Sequence, residues 1–345
     1  MIFFLKKIKR FLIFTFIYLN AVIKKNFFNN NKIVFFFFVP WHGNMGDQAI
    51  VYSERVFLKY NTDLIVIEIP SQYLIWYFDY FKTIIGDNDI FVHGGGFIGS
   101  LWPDEDIMIR KVLECFKTNR IVVLPQTIYF DDNEKNLIGI YKELISNCTK
   151  LKICAREKYS YEFAVKNELK NVYLVPDMVT YIKKNDLDFN DIPNKKENDI
   201  VFCFRNDKEK TVTNDFIIKL EKYYTNKRIR KIDTFENKTV YPIFRKRELR
   251  KKLLQFSNAE IVFTDRLHGM VFAAIMGTPC VVLSNCNYKI KGVYEWIKNN
   301  DYVQYVDNED DVFDVIKSIP AYSENVYHNE NAVNSFSTLI EILGE

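Results

Sequence analysis

The stretch EIVFTDRLHGMVFAAIMGTPCVVL, residues 260–283, decides the fold because it reads as strand, helix and strand in direct succession. An apolar run precedes Asp265, a second run from Gly269 to Met276 suits a buried helix, and a third apolar run closes the stretch. Strands joined through a helix are typical of a parallel sheet that carries helices on its faces. Asp265, Arg266 and His268 therefore stand where a strand ends and a helix begins.

The same alternation of strand-like and helix-like stretches continues on both sides. KIVFFFFVP (32–40) and DIVFCFR (199–205) are apolar enough for strands that are buried on both faces of a sheet. A polar segment rich in Asn, Asp and Pro, residues 183–198, interrupts the alternation and predicts a linker. We therefore predict an α/β fold with two Rossmann-like domains, residues 32–182 and 199–345, and an active site in the cleft between them.

Composition and charge favour a two-domain protein and disfavour nucleic-acid binding and a metal site. The 345 residues and the hydrophobic content of 48% suffice for two domains of ordinary size. The net charge is only +3. The residues before the first acidic residue, Asp47, carry 7 Lys and Arg, so the rest of the chain has more acidic than basic residues. Because the remainder is net acidic, we predict no binding to nucleic acid. The cysteines are scattered without a CxxC motif, and only 4 histidines are present, so we predict no metal site.

Residues 1–31 form a basic and apolar arm, MIFFLKKIKRFLIFTFIYLNAVIKKNFFNNN. Its apolar core, from Phe11 to Ile23, is shorter than the about 20 residues that a membrane-spanning helix needs. Lysines flank this core on both sides, which is typical of a helix that lies on an anionic membrane surface. The alternative is a helix that packs against the body of the protein. We expect a cytoplasmic protein, and the first alternative would place it at the cytoplasmic face of the membrane.

Two glycine-containing motifs follow predicted strands in the first domain. WHGNMGDQAI (41–50) leads from a strand into a helix, where Asn44 and Asp47 can meet an anionic or hydroxyl-rich ligand. A plain strand-to-helix turn is the alternative for this motif. In VHGGGFIGS, Gly94 and Gly95 allow a ligand to approach the backbone closely. Neither motif is GxGxxG or a P-loop, so a nicotinamide cofactor and ATP are disfavoured.

Charged side chains stand at the carboxyl ends of later strands, where open α/β sheets bind their ligands. Arg156 follows one such strand and Arg205 another, and a guanidinium can hold a carboxylate or phosphate through two parallel hydrogen bonds. Arg266 lies close to His268, the residue type best suited to give or take a proton near neutral pH. We select these four residues for substrate binding and catalysis. The alternative for Arg156 is an ion pair with Glu157 or Glu162, and the alternative for His268 is a structural role.

The motifs NMGD, HGGG, LPQT, AREKYS, VPD and DRLHGMVFAAIMGTPCVVL occur in the order typical of the polysaccharide pyruvyl transferase family. The chain resembles that family over residues 33–291, and the Arg-Leu-His string with its helix is the most specific part. The resemblance implies a two-domain fold similar to GT-B glycosyltransferases. It also implies transfer of the pyruvyl group of phosphoenolpyruvate onto two hydroxyl groups of a sugar, which forms a cyclic ketal in a surface polysaccharide or its lipid-linked precursor.

The resemblance also implies roles for individual residues. His268 is the expected general acid, and Arg156 and Lys291 are expected to bind the anionic groups of the donor. The family's Tyr-x-x-Lys pattern fits residues 288–291, with Lys289 as a rival because the preceding segment is longer than usual. The expected partners are then phosphoenolpyruvate and a sugar or lipid-linked oligosaccharide, and the reaction needs no metal or redox cofactor.

Two other functions fit the same fold. A GT-B glycosyltransferase would use a nucleotide-sugar donor, although the second domain shows no clear Glu-x7-Glu-like pattern for binding a ribose. A non-catalytic scaffold subunit would keep the fold without the chemistry. Replacement of His268 separates the scaffold from an enzyme, because only the enzyme would lose activity while it still folds.

Overall fold

The computed structural model describes residues 2–28, 32–131, 134–189, 199–207, 209–257, 259–320 and 325–344. In chain order, the strands are β1 (Ile33–Val39), β2 (His42–Asn44), β3 (Ile65–Pro70), β4 (Asp89–Val92), β5 (Gly95–Gly99), β6 (Ile121–Tyr129), β7 (Leu151–Ala155), β8 (Val172–Leu174), β9 (Asp199–Cys203), β10 (Arg228–Lys231), β11 (Phe235–Thr239), β12 (Ala259–Thr264), β13 (Cys280–Leu283) and β14 (Val303–Val306).

In chain order, the α-helices are α1 (Ile2–Phe27), α2 (Met45–Asn61), α3 (Ser71–Trp76), α4 (Phe78–Ile85), α5 (Pro103–Cys115), α6 (Lys135–Asn147), α7 (Lys158–Lys166), α8 (Asn214–Tyr223), α9 (Arg245–Ser257), α10 (Leu267–Met276), α11 (Lys289–Ile297), α12 (Val312–Ser318), α13 (Glu330–Ser335) and α14 (Ser337–Gly344). Among the described residues, none of these helices combines the length and the apolarity needed to cross a membrane.

Two parallel sheets form the framework of the chain, which confirms the predicted α/β class. The first sheet has the order β3-β1-β4-β6-β7-β8, with β5 beside β6, and its strand pairs are parallel. The second sheet has the order β10-β9-β12-β13-β14, and its pairs are also parallel. A short antiparallel ribbon joins β2 to β11. Strands such as β1, whose residues are all buried, show why continuous apolar runs predicted these sheets.

The chain divides into two compact units, each with its own sheet. The first unit comprises Met1–Trp41, Phe57–Ala155 and Ser160–Leu174, and the second comprises His42–Val56, Arg156–Tyr159 and Val175–Glu345. The first contains an apolar core around β1, β4 and β6, and the second contains a smaller cluster around β9, β12 and β13. Because the second unit includes segments 42–56 and 156–159, it contains both Asn44 and Arg156 as well as His268.

The N-terminal arm forms α1, and one face of this helix packs into the core of the first unit. Phe14, Ile17 and Ala21 are buried in that core. The ring of Phe14 stacks on Tyr77 with 3.9 Å between ring centroids, and Lys25 Nζ donates a hydrogen bond of 2.6 Å to the carbonyl oxygen of Ile84. The interpretation in which the arm packs on the body therefore holds for this face of the helix.

Several elements differ from the sequence prediction. The segment 71–85 forms α3 and α4, which were not predicted, although the buried residues of α4, Phe78, Phe81, Ile84 and Ile85, recur at helical spacing. The run DIFVHGGG was predicted as one strand followed by a loop, but β4 ends at Val92 and Gly95–Gly99 form a separate strand, β5. In β5, Gly95 has a φ of +149° that side-chain-bearing residues rarely adopt. Of the predicted linker 183–198, residues 190–198 lie outside the described residues, and Lys184–Leu187 form a short 3₁₀ helix.

Candidate functional site

The strand order of the second sheet reverses between β9 and β12, which are neighbours in the sheet. Ligands of open parallel sheets bind beyond the carboxyl ends of the strands at such a point. Arg205 follows β9, and Asp265, Arg266 and His268 follow β12. The Oδ1 atom of Asp265 accepts a hydrogen bond of 2.7 Å from the backbone N–H of Arg205. The structure therefore brings these four residues together at one edge of one sheet.

His268 lies in the first turn of α10, beside a buried carboxylate. Its Nε2 atom is 3.6 Å from Oδ2 of Asp177. The same oxygen accepts a hydrogen bond of 3.1 Å from Nη1 of Arg156, and Oδ1 of Asp177 accepts one of 2.9 Å from the backbone N–H of Val179. A single carboxylate thus lies between the guanidinium of Arg156 and the imidazole of His268.

The ionisation of Asp177 depends on these neighbours. Burial raises the pKa of this carboxyl, but its interaction with the nearby His268, together with Arg156 and the Val179 N–H, outweighs burial and lowers the pKa to about 2. Asp177 is therefore a carboxylate at neutral pH although only 1% of the residue is exposed. A buried charge of this kind is stable only when partners of opposite charge and hydrogen-bond donors surround it.

The other edge of the His268 ring contacts the NMGD motif. A Cβ atom on residue 46 would overlap Nδ1 of His268, so glycine is the residue that permits this approach. Asn44 Oδ1 accepts a hydrogen bond of 3.1 Å from the Gly46 N–H, and Asn44 Nδ2 donates one of 2.8 Å to Asp47 Oδ2. Because α2 begins at Met45, Asp47 lies in the first turn of that helix. Two motifs that are far apart in the sequence therefore meet around one imidazole.

Two carboxylates hold the guanidinium of Arg266. Its Nη1 atom donates a hydrogen bond of 3.1 Å to Asp207, and its Nη2 atom donates one of 2.8 Å to Asp233. Its Nε atom is buried and has no hydrogen-bond partner among the described residues. Since a guanidinium has five N–H donors, Arg266 keeps donors for a further anion.

Arg205 and Lys289 share the carboxylate of Glu209. Arg205 forms an ion pair with Glu209, and Lys289 Nζ donates hydrogen bonds of 2.6 and 2.7 Å to its two oxygens. Burial lowers the pKa of Lys289, and the positive charges of Arg205 and Arg156 also lower it, whereas Glu209 raises it. The buried Lys289 ammonium therefore interacts electrostatically with two arginines of the site.

Lys291, on the same helix, has different neighbours. Its Nζ atom is 3.2 Å from Asp307 Oδ2, and 41% of its side chain is exposed. The ammonium also lies over the ring of Tyr305, 5.5 Å from the centroid. Of the two rival lysines, Lys289 joins the arginine cluster, and Lys291 pairs with Asp307.

Asp265 is the acidic residue that links the two strand ends. Burial raises the pKa of its carboxyl to about 6, against the opposing effects of the Arg205 N–H and the charges of Arg205 and Arg266. Its Oδ2 atom is buried without a hydrogen-bond partner among the described residues. This carboxyl therefore takes up a proton in mildly acidic solution while it remains inside the fold.

Gly94 and Gly95 belong to the first unit and follow β4. The side chain of Gln126 bridges the backbone on both sides of them, since it donates a hydrogen bond of 2.6 Å to the His93 carbonyl and accepts one of 3.0 Å from the Phe97 N–H. The positive φ of Gly95 explains why glycine occupies that position. Substrate binding by Gly94 and Gly95 stays a prediction.

The structure adds to this cluster four acidic residues that were not predicted, namely Asp177, Asp207, Glu209 and Asp233. Asp177 ends the VPD motif just beyond β8, so its position after a strand was a usable signal. The other three lie in loops after β9 and β10, where no local pattern marks them. Among the described residues, no group of three or more His, Cys, Asp or Glu side chains is placed to hold a metal ion.

Known sequences match most of this chain. The profile of the family described as polysaccharide pyruvyl transferase matches residues 44–287, a range that includes His268 and the three arginines of the site. General stress protein 30 of Bacillus subtilis (strain 168) is 32% identical over 282 residues, which cover 79% of this chain and 80% of that protein. Pyruvyl transferase 1 of Schizosaccharomyces pombe (strain 972) is 26% identical over 274 residues, which cover 71% of this chain and 64% of that protein.

Solved structures resemble the chain in fold. A protein from Listeria monocytogenes assigned as a UDP-N-acetylglucosamine 2-epimerase aligns with a TM-score of 0.53 and 10% sequence identity, over 92% of this chain and 97% of its own. At this identity the likeness shows the fold alone, which is the GT-B-like α/β arrangement that the sequence predicted. Since the family profile covers well over half of the residues, the chain belongs to the polysaccharide pyruvyl transferase family and is a transferase.

Proposed function

We propose that this transferase moves the pyruvyl group of phosphoenolpyruvate onto two hydroxyl groups of a sugar, which closes a cyclic ketal and releases inorganic phosphate. The acceptor is a surface polysaccharide or its lipid-linked precursor. The observation that carries the proposal is the buried His268–Asp177–Arg156 group beside a cluster of cations, in a chain of this family. This group supplies a proton donor and anion-binding side chains within one unit.

The donor requires several cations, because it carries both a phosphate and a carboxylate. We assign these anionic groups to Arg156, Arg205 and Arg266, with Lys289 as the ammonium that the geometry favours over Lys291. Guanidinium groups bind both kinds of anion through paired hydrogen bonds. The carboxylates that contact these cations hold the arginine and lysine side chains in place. They also offset the repulsion between the positive charges before the donor binds.

His268 is the proposed general acid. Protonated His268 gives its proton to C3 of phosphoenolpyruvate, which makes C2 electrophilic, and one sugar hydroxyl adds to C2. The C2–O bond to phosphate then breaks, and the second hydroxyl attacks C2 to close the ring. The two hydroxyls lose two protons, of which one returns to His268 and the other leaves with phosphate or solvent. General acid–base catalysis of this kind typically contributes a factor of about 10² to 10⁴.

Asn44 and Asp47 are the residues that we assign to the acceptor. The amide and carboxylate of these side chains form hydrogen bonds of the kind that recognise sugar hydroxyls. Asn44 accepts a hydrogen bond from the N–H of Gly46, and Gly46 contacts the His268 ring. A sugar hydroxyl bound at this motif therefore lies close to the proposed general acid. Gly94 and Gly95 are further candidates for close contact between the substrate and the backbone.

The test measures donor binding and turnover with the full chain. Phosphoenolpyruvate and UDP-N-acetylglucosamine are titrated by calorimetry, and phosphate release is then followed with a panel of sugar glycosides and lipid-linked oligosaccharides. We expect binding of phosphoenolpyruvate, acceptor-dependent phosphate release, and a product whose mass equals that of acceptor plus one pyruvate less one water. His268→Ala should bind the donor but release phosphate about 10² to 10⁴ times more slowly.

His328→Ala is the matched control, because His328 is half-exposed and pairs with Glu330. This variant should keep the wild-type rate. Binding of UDP-N-acetylglucosamine without binding of phosphoenolpyruvate would favour the glycosyltransferase alternative. Equal rates for the wild type and His268→Ala would overturn the assignment of the acid.

A further inference from the structure

The helix α1 has two apolar faces, and the core of the first unit covers only one of them. The buried face includes Phe14, Ile17 and Ala21, which recur at intervals of three and four residues. Arg10 lies about one helical turn before Phe14, over the Trp76 ring, with 4.4 Å between its guanidinium carbon and the ring centroid. These contacts fix the rotation of the helix about its own axis, so the orientation of the opposite face is also fixed.

The opposite face is a stripe of exposed aliphatic and aromatic residues, which we call the outer stripe. Its members also recur every three or four residues, and they are Leu5, Ile8, Leu12, Phe16, Leu19 and Ile23. Their exposure ranges from 41% for Ile8 to 71% for Phe16. Single exposed apolar residues are normal on a protein surface, but a continuous stripe along a helix marks an interaction site.

The charge of the helix indicates which partner this stripe fits. Lys6, Lys7 and Lys9 lie near its start, Lys24 and Lys25 lie in its last turn, and no acidic residue precedes Asp47. Apolar residues with lysines at both ends are suited to a surface that is apolar inside and negatively charged outside. An anionic phospholipid bilayer has both properties.

A second copy of the chain fits this stripe less well. A two-fold pairing of α1 with itself brings like ends together when the helices are parallel and opposite ends together when they are antiparallel. Both ends of the helix are basic, so either arrangement places lysine against lysine without an acidic partner on the helix.

We propose that α1 docks the protein on an anionic phospholipid bilayer. The outer stripe enters the boundary between headgroups and acyl chains, and Lys6, Lys9 and Lys24 contact the negative headgroups. The buried face, where Lys25 is bound to the Ile84 carbonyl, keeps the first unit attached to the helix. The docking is independent of the proposed chemistry, because no residue of α1 takes part in the candidate site.

Vesicle sedimentation of the full chain tests the proposal. The probes are phosphatidylcholine vesicles and vesicles of equal parts phosphatidylcholine and phosphatidylglycerol. We expect the wild type to sediment with the anionic vesicles, to bind neutral vesicles at least about tenfold more weakly, and to lose binding as salt is added. The triple variant Leu12→Gln, Phe16→Gln and Leu19→Gln should bind anionic vesicles at least about tenfold more weakly than the wild type, because it removes the apolar surface.

The matched control replaces three exposed aliphatic residues outside α1, Ile218→Gln, Ile243→Gln and Val326→Gln, and should bind like the wild type. Lys6→Gln with Lys9→Gln leaves the packing face unchanged and should weaken binding to anionic vesicles only, which keeps the test valid if the triple variant misfolds. Failure of the wild type to sediment, or equal sedimentation of the triple variant, overturns the proposal. A lipid-free dimer that the triple variant converts to a monomer also overturns it, since a second copy would then cover the stripe.

Discussion

The imidazole of His268 and the carboxylate of Asp177 form a pair inside the second unit, with 3.6 Å between Nε2 and Oδ2. Arg156 and the Val179 N–H hold the carboxylate from other sides. The contact between Gly46 and Nδ1 fixes the other edge of the ring. The imidazole is therefore held between a charged partner and a backbone surface, as expected for a group that must present one orientation to a substrate.

Replacement of Asp177 by Asn tests whether this pairing serves catalysis. Asn keeps the shape and the acceptor for the Val179 N–H, but it removes the charge that balances protonated His268. We expect kcat to fall about 10- to 100-fold while KM for phosphoenolpyruvate changes less, as is usual when a partner that orients a reacting group is lost. Asp63→Asn, at a side chain that is 89% exposed, should leave both constants unchanged. A rise in KM alone would instead assign Asp177 to donor binding.

Lys289 and Lys291 give a second prediction. Since Lys289 interacts with Glu209 and with two arginines, whereas Lys291 pairs with Asp307 at the surface, only Lys289 is expected to affect the donor. Lys289→Gln should raise KM for phosphoenolpyruvate by about 10-fold or more, consistent with the loss of one charge-assisted hydrogen bond. Lys291→Gln serves as the matched control and should change KM less than about threefold. The reverse ranking would assign donor binding to Lys291.

The raised pKa of Asp265 predicts a pH dependence of stability. Its pKa is 3.8 in the absence of the fold and about 6 within it, so the folded state favours the protonated form. The contribution of this carboxyl to the free energy of unfolding is therefore fully present below pH 3.8 and is lost as pH rises through about 6. The total change is on the order of 3 kcal/mol. Asp265→Asn mimics the protonated carboxyl and should therefore resist urea better than the wild type at pH 8.

Urea unfolding at several pH values checks this prediction. The advantage of Asp265→Asn should shrink as pH is lowered and vanish near pH 4, where the wild-type carboxyl is protonated as well. If the variant is less stable than the wild type at pH 8, the charge attraction to Arg205 and Arg266 exceeds the cost of burying the carboxylate.

Much of the fold follows from local sequence patterns. The run 260–283 forms β12, α10 and β13 as predicted, because continuous apolar residues mark strands that are buried on both faces. The ribbon of β2 and β11 could not be found this way, since its strands are short and polar and pair across most of the chain. Its formation depends on long-range contacts that no window of sequence contains.

The arginines and the histidine of the candidate site could be predicted from their positions after strands, whereas of the carboxylates that the structure adds only Asp177 carried such a signal. Arg205, Arg266 and His268 each follow a strand, and the carboxyl ends of neighbouring parallel strands meet at one edge. The carboxylates of Asp207 and Glu209 reach these cations from an irregular loop. The choice between Lys289 and Lys291 depends on which side of α11 faces that loop, and the sequence pattern alone leaves this open.

The packing of α1 also sets an order of events during synthesis. Tyr18 contacts Thr83, which lies 65 residues further along the chain. At the usual rate of about 5 to 20 residues per second, the ribosome releases the helix roughly 3 to 13 seconds before its partner residues appear. Both apolar sides of α1 are uncovered throughout that delay. A nascent chain of this protein is therefore open to capture by lipid, chaperone or another nascent chain until α3 and α4 have been synthesised.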